Sequence, residues 1–175
     1  KNGKEMTNNI TVIKRDQTSE QLDLEKMHKV VFYACEGITG VSPSEVEIKS
    51  HISFYNGIET AKVQETLIKA AADLISEETP NYQWVAGRLI NYHLRKEVYG
   101  KFEPCSLDEI ARRNVELGYY DKNFFAVYNP EEVFQLDHYI KHDRDENLTY
   151  VAMEQLRGKY LCQNRVTGEI FETPQ

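Results

Sequence analysis

The sequence predicts a mainly α-helical protein. Four amphipathic helices form a small bundle capped by a β-hairpin, and further helices and a short second hairpin follow. Apolar residues recur at helical spacing through most of the chain, which indicates helices with one buried face. Combinations of Ser, Thr or Asn with Pro and Glu stand before several of these segments, as is typical of helix N-termini. A short alternating run near the N-terminus favours a strand there.

Composition restricts the classes of protein that this chain can belong to. Hydrophobic residues form 41% and charged residues 28% of the 175 residues, which is typical of one globular domain or one domain with part of another. The net charge of −7 argues against broad nucleic-acid binding but allows a local cationic pocket. No apolar run approaches the ~18 residues that span a membrane, and no signal-peptide core is present. We therefore expect a cytoplasmic protein without membrane contact.

Cysteine usage predicts neither a zinc site nor a disulfide framework. The three cysteines are widely spaced and form no CxxC pair; they are Cys35, Cys105 and Cys162. Cys35 falls on the apolar face of a predicted helix, so we expect a packed thiol rather than a reactive one.

The N-terminal hairpin is chemically the most informative part of the chain. Residues 10–13 alternate as a strand does and lead into two adjacent cations, Lys14 and Arg15. A polar turn at residues 16–19 and a second run at residues 20–22 complete the hairpin. Its cations could face phosphates, and its carboxylates could accept hydrogen bonds from a base or sugar. The pattern alone leaves open a nucleotide site and a solvated hairpin, and it favours the solvated hairpin.

Capping residues bound the first two helices. The first helix covers residues 24–36 and ends before Gly37, where a left-handed conformation costs little. The second begins at Ser42, with Pro at the first and Glu at the third helical position, and closes at Asn56. The residues predicted to pack inward are Leu24, Met27, Val30, Val31, Ala34 and Cys35 in the first helix, and Val46, Ile48, Ile52 and Tyr55 in the second.

Two longer helices complete the bundle. Thr60 is predicted to cap the third helix, over residues 61–76. Thr79 and the following proline begin the fourth helix, which ends at Gly100. The apolar residues of these helices are Val63, Leu67, Ala70, Ala71, Leu74 and Ile75, and then Tyr82, Val85, Leu89 and Tyr92.

Beyond a boundary predicted at residues 100–104, three more helices are expected. A capping box from Ser106 to Glu109 opens a helix that continues to about Leu117 and is ended by Gly118. Asn129 and the following proline open the next helix, and residues 150–156 form the last. The second of these helices carries the apolar residues Val133, Leu136 and Ile140.

Two further features lie in the C-terminal part of the chain, a predicted hairpin and a polar cluster. Residues 160–163 and 169–172 are predicted to pair as a hairpin across Gly168. Residues 142–145, His-Asp-Arg-Asp, could bind a metal, but a charged helix end with local salt bridges is favoured.

The residues also carry a resemblance to a known family. Residues 12–27, VIKRDQTSEQLDLEKM, are similar to the opening motif of the ATP-cone, the allosteric nucleotide-binding module at the N-terminus of many ribonucleotide reductases. SHISFYNGIETAKVQETLIKAAADLI, HLRKEVYGKFEP, IKHDRDENLTY and LRGKYLCQNRVTGEIFETPQ resemble the N-terminal part of the class I ribonucleoside-diphosphate reductase large subunit. The resemblance starts at Met6 and covers nearly all of the chain beyond it.

The resemblance implies a domain arrangement. Residues 6–100 would form the ATP-cone, and residues 101–175 the helical segment that begins the reductase catalytic domain. We interpret residues 1–5, which precede the start of the resembling proteins, as a cloning remnant or an upstream extension. In the family, the radical and redox cysteines lie in a ten-stranded barrel further along the chain, and none of the three cysteines here matches them. We therefore expect no catalytic residue in this chain and no turnover of substrate by this chain alone.

The resemblance also implies a nucleotide site, in which cations serve the phosphates and apolar side chains form walls. The residues that would serve phosphates are Lys14, Arg15, Thr60 and Lys96. The remaining members are Glu20 and Asp23 for adenine or ribose, Met27, Val63 and Tyr92 as apolar walls, and Val12, Lys26 and Gln64 around the nucleotide. Two positions depart from the family pattern. Gln17 stands where glycine is frequent, and Gln64 stands where close relatives carry a histidine near the phosphates.

The function implied is overall-activity regulation of the reductase, with ATP activating and dATP inhibiting, each with Mg²⁺. The implied partners are the radical-bearing small subunit, other large subunits and the rest of the catalytic domain, without nucleic acid or membrane. An alternative is a vestigial cone that acts only as a subunit-interaction module, an option that the Gln64 departure leaves open. A phosphotransferase is disfavoured because no GxxxxGK[ST] loop is present. A nucleotide-sensing transcription regulator is disfavoured because its CxxC zinc ribbon is missing.

Overall fold

The computed structural model describes residues 10–175, and the predictions made for residues 1–9 lie outside that part. Contacts within the chain divide it into two units, the first ending at Leu89 and the second covering Ile90–Gln175. The division falls within a continuous helix, Tyr82–Tyr99. The domain boundary proposed at residues 100–104 stays a prediction.

The first unit combines a small sheet with helices. Its elements are β1 (Thr11–Ile13), β2 (Ser19–Gln21), α1 (Leu24–Cys35), α2 (Pro43–His51), β3 (Ile58–Glu59), α3 (Thr60–Asp73) and the first part of α4 (Tyr82–Tyr99). β1 pairs antiparallel with β2, which confirms the predicted hairpin, and parallel with β3. Sequence reasoning missed β3 because a strand of two residues has no readable alternation.

The core of the first unit confirms most of the predicted inward-facing residues. Those that are fully buried include Val31, Ala34, Val46, Leu67 and Val85. Cys35 is also buried and free, and burial raises the pKa of its thiol to about 11. This pKa agrees with the expected packed thiol.

In the first unit, five apolar residues predicted to pack inward are exposed instead: Leu24, Ile48, Ile52, Tyr55 and Ile75. The buried side of α2 is a narrow stripe of Val46 and Ser50, and Ile48 lies about 200° around the helix from Val46. α2 ends at His51 rather than at Asn56, and α3 ends at Asp73. Ile52, Tyr55 and Ile75 therefore follow the helix ends, outside the predicted faces.

The second unit contains the end of α4 and the remaining helices. They are α5 (Leu107–Glu116), α6 (Phe124–Val127), α7 (Pro130–Tyr139), a 3-10 helix (His142–Asn147), α8 (Tyr150–Gln155) and a π-helical turn (Leu156–Tyr160). The capping box predicted at Ser106 is formed, and Asn129 forms a second one at the predicted start of its helix. Within α7, Val133 is buried as expected, whereas Leu136 is exposed. α6 and the π-helical turn were not predicted, because segments this short carry no periodicity.

The second predicted hairpin is wrong in extent. One isolated antiparallel bridge joins Gln163 to Ile170, and residues 160–163 and 169–172 are not strands in the described structure. The start of this segment belongs instead to the π-helical turn, which ends at Tyr160. Backbone hydrogen bonds still close the loop, since the Asn164 N–H donates to the Glu169 carbonyl at 2.8 Å.

The cluster at residues 142–145 also differs from its prediction. The prediction favoured a charged helix end with local salt bridges, whereas the cluster opens a 3-10 helix in which Asp145 is completely buried. Arg95, itself buried, donates from Nη2 to the His142 carbonyl oxygen at 2.7 Å. No group of three or more His, Cys, Asp and Glu side chains among residues 10–175 is arranged to hold a metal ion.

Candidate functional site

The turn of the β1–β2 hairpin presents the two predicted cations to solvent. The Lys14 N–H donates to the Thr18 carbonyl at 2.9 Å, and the Gln17 N–H donates to the Lys14 carbonyl at 3.0 Å. The Asp16 carboxylate accepts hydrogen bonds from the Thr18 N–H and hydroxyl, which lowers the pKa of that carboxyl. Gln17 has φ +66°, a left-handed conformation that favours glycine.

Lys14 and Glu20, predicted to serve different parts of a nucleotide, form an ion pair with each other. Lys14 Nζ lies 2.7 Å from Glu20 Oε2, and the two side chains are 46% and 49% exposed. Hydrogen bonding to Glu20, followed by its negative charge, raises the pKa of Lys14. The lysine is therefore fully charged near neutral pH and accessible to a ligand.

The start of α3 lies beside the cationic end of β1. The Thr60 hydroxyl donates to the Ile13 carbonyl oxygen at 3.3 Å, and Lys14 is the next residue along the chain. Thr60 is the first residue of α3 rather than its N-cap, which is Glu59. The Glu59 side chain makes no capping hydrogen bond. The N–H groups of the first helical turn have no partner within the helix, so this helix end is suited to an anion.

Asp23 and Lys26 lie at the start of α1. The Asp23 side chain accepts the Lys26 N–H at 2.9 Å and is the N-cap of the helix. This structural role was missed, although Asp directly before an apolar-periodic segment is a recognised start signal. The Lys26 side chain is exposed. The roles assigned to these two residues toward adenine, ribose or the nucleotide's surroundings stay predictions.

The apolar members of the predicted site belong to the core. Val12, Met27 and Val63 are buried, with 4%, 6% and 4% exposure. Gln64 follows Thr60 by four residues and so lies on the same face of α3. The Gln64 Oε1 atom is buried and has no hydrogen-bond partner among residues 10–175.

Tyr92 and Lys96 lie on the part of α4 that belongs to the second unit. The Tyr92 ring stacks on Phe102 with centroids 5.4 Å apart, and burial raises the pKa of the Tyr92 hydroxyl. Lys96 is half-buried in the last turn of the helix, where a cation complements the helix dipole. Their predicted roles at a nucleotide stay predictions.

Sequence reasoning missed the residue that holds β1 beside the segment leading into β3. Asn56 Oδ1 accepts the Thr11 N–H at 3.2 Å, and the Gly57 N–H donates to the Thr11 carbonyl at 2.9 Å. The Asn-Gly pair was interpreted only as the end of a helix. Such a pair is also typical of a tight turn before a strand, which would have pointed to β3.

Comparison with known proteins finds one matching family model and several similar chains. The family model of the ATP cone domain matches residues 10–97. Across 170 residues, the chain is 51% identical to ribonucleoside-diphosphate reductase 1 subunit alpha of Escherichia coli, covering 97% of this chain and 22% of the relative.

Relatives of lower identity are also named as alpha subunits of ribonucleoside-diphosphate reductase. The chain is 43% identical to the ribonucleoside-diphosphate reductase subunit alpha of Enterobacteria phage T4, over 95% of this chain and 22% of the relative. It is 36% identical to the Helicobacter pylori subunit, over 95% and 21%. The chain thus spans about a fifth of the length of these relatives. None of the helices in residues 10–175 combines the length and apolar character needed to cross a membrane. From the matched family model, the chain belongs to the ATP-cone domain family.

Proposed function

We propose that the first unit binds an adenine nucleotide as an allosteric effector. The observation that carries this proposal is the hydrogen bond from Thr60 to Ile13, which sets the N-terminus of α3 beside Lys14. A triphosphate requires cations together with N–H donors, and these two elements supply both. Membership of the ATP-cone family supports an allosteric regulatory role for such a site.

Each predicted residue has a role that its chemistry fits. Lys14 and Arg15 neutralise phosphate charge, and Thr60 opens the helix whose first-turn N–H groups face an anion. Glu20 and Asp23 accept hydrogen bonds from adenine or ribose. Mg²⁺ would arrive with the phosphates, since it is usually held by one or two carboxylates together with phosphate oxygens and water.

The relatives are named as alpha subunits of ribonucleoside-diphosphate reductase, and we extend the proposal to that setting. ATP leaves the reductase active, and dATP switches it off. Two ligands of one site have opposite effects only if they stabilise different conformations or assemblies. The partners in that equilibrium are the small subunit, other large subunits and the rest of the catalytic domain.

The test is calorimetric titration of the chain with ATP and with dATP in the presence of Mg²⁺. Lys14→Ala should weaken both ligands by about 10- to 100-fold, because one charge-assisted hydrogen bond contributes ~1.5–3 kcal/mol. Lys29→Ala is the matched control, since Lys29 is an exposed lysine that pairs with Glu25 at 2.9 Å on the outer part of α1. Equal losses in the two variants would contradict a specific role for Lys14.

A vestigial cone that acts only as a subunit-interaction module is the second candidate. Gln64 favours it, because its amide oxygen is buried near the start of α3 without a hydrogen-bond partner in the described part of the chain. The family resemblance places a phosphate-side histidine at this position. The same titration separates the two candidates. Absence of binding heat and of any change in melting temperature with either nucleotide would leave the vestigial module as the better account.

A further inference from the structure

Lys14, the residue on which the proposed site depends most, already has an anionic partner. Its Nζ lies 2.7 Å from Glu20 Oε2. The pair is fixed by the hairpin register, because Val12 stands opposite Glu20 and the Lys14 N–H donates to Thr18. Both side chains are about half exposed, so a ligand can reach the ammonium group and exchange with the carboxylate.

We propose that Glu20 is a specificity determinant that selects against free polyphosphate. This inference rests on the nucleotide site proposed above. A polyphosphate that approaches Lys14 must either displace the Glu20 carboxylate or remain beside its negative charge. A nucleotide offsets the broken Lys14–Glu20 ion pair through hydrogen bonds from its adenine or ribose to the displaced carboxylate. A bare phosphate chain has no group that can do so, and unfavourable contacts to a competitor are a general source of specificity.

The neighbouring carboxylate does not serve the same purpose. Asp16 is held within the turn by the Thr18 N–H and hydroxyl, and its charge is a minor cause of the raised pKa of Lys14, behind both contributions of Glu20. Residues 14–20 contain two cations and two carboxylates, so the hairpin has no net charge. Removing the Glu20 charge therefore makes the hairpin net positive while leaving the turn intact.

The experiment compares tripolyphosphate with ATP, each titrated into the parent chain and into Glu20→Gln. The variant should bind tripolyphosphate about three- to tenfold more tightly at low ionic strength. This factor is expected because the ligand no longer has to break an exposed ion pair and is no longer repelled by the Glu20 charge. ATP should gain less, so the preference for ATP over tripolyphosphate should fall. The gain should shrink in 0.3 M salt, where exposed charges are screened within ~6 Å.

Asp108→Asn is the matched control. It removes the same charge from a similarly exposed ion pair, in which Asp108 Oδ2 lies 2.8 Å from Arg112 Nε and the side chains are 42% and 54% exposed. This variant should leave the ATP preference unchanged. Glu20→Ala should reproduce the effect of Glu20→Gln if the charge, rather than the side-chain shape, is responsible. Circular dichroism would establish that each variant is folded.

The outcomes separate this inference from the proposed function. If the parent binds ATP and Glu20→Gln leaves its preference for ATP over tripolyphosphate unchanged, the selective role of Glu20 is overturned and the nucleotide site stands. If the parent binds neither ligand, both proposals are overturned. A reduced preference in Glu20→Gln and Glu20→Ala, with no change in Asp108→Asn, supports the selective role.

Discussion

The buried carboxylate of Asp145 makes the stability of the second unit depend on pH. Asp145 lies in the 3-10 helix and has no solvent exposure. Neither of its oxygens has a hydrogen-bond partner of good geometry among residues 10–175. Burial raises its pKa from 3.8 to about 6, and the charges of Asp143 and Glu146 add to the rise. The charge of Arg95 and the Gln175 side chain oppose it.

The sign of the pH dependence follows from proton linkage. Between pH 4 and pH 6 the folded state keeps a proton on Asp145 that the unfolded state has released, so stability decreases as the pH rises through this range. Above it both states are ionised and the whole penalty is present. A rise from 3.8 to about 6 corresponds to about 3 kcal/mol at ~1.4 kcal/mol for each pH unit.

Asp145→Asn removes the charge and keeps the shape, so it should stabilise the chain at pH 7.5. The expected gain is ~2–3 kcal/mol, or roughly 5–10 °C in melting temperature for a protein of this size. The gain should largely disappear at pH 4, where the parent carboxyl is protonated in the folded state. Thermal denaturation at the two pH values measures the gain, and a carbon-detected NMR titration measures the pKa of Asp145 directly.

Asp143→Asn is the control for this prediction, because Asp143 lies on the same 3-10 helix but is exposed. Its effect should be within ~0.5 kcal/mol, as is usual for surface substitutions. The reasoning is refuted if the NMR titration gives Asp145 an ordinary pKa near 4. It is refuted equally if Asp145→Asn is neutral or destabilising at pH 7.5.

Three further predictions concern the first unit. Tyr82→Phe should destabilise the chain by ~1–3 kcal/mol in thermal denaturation, because the buried hydroxyl accepts the Ser42 N–H at 3.0 Å and donates to Glu45; a variant as stable as the parent would contradict this. Gln17→Gly should raise stability by up to ~1 kcal/mol by relieving the left-handed backbone at φ +66°, whereas Gln17→Val should lower it, and the reverse order would refute the strain. Cys35 should react with a disulfide reagent at pH 8 more slowly than the two half-buried cysteines, since burial raises the pKa of its thiol to about 11; equal rates by mass spectrometry would refute it.

The elements that local chemistry determines were predictable from sequence. The capping boxes at Ser106 and Asn129 depend on residues three positions apart, so the pattern in the chain is sufficient. The burial of Asp145 was not predictable, because nothing in the local sequence distinguishes it from Asp143, which is exposed. Its environment is produced by residues far away in sequence, such as Arg95 on α4.

The candidate site also has one part that local sequence predicts and one part that it does not. The pairing of Lys14 with Glu20 follows from the hairpin register, and the hairpin was predicted from a short alternating run. The proximity of Thr60 to Ile13 spans 47 residues and requires the parallel pairing of β1 with β3, which no local pattern indicates. The family resemblance implies only that Lys14 and Thr60 serve one site, and the hydrogen bond from Thr60 to Ile13 sets the start of α3 beside the end of β1.

The charge balance of the hairpin explains why the proposed site needs the N-terminus of α3. Lys14 and Arg15 are matched in number by Asp16 and Glu20, so the hairpin alone offers no net attraction to a ligand with about four negative charges. The N-terminus of α3 adds N–H groups that have no partner within the helix, and the positive end of the helix dipole. Nucleotide affinity should therefore depend on the hydrogen bond that holds the start of α3 beside β1. Loss of the Thr60 hydroxyl, as in Thr60→Val, should weaken nucleotide binding even though no charge is removed.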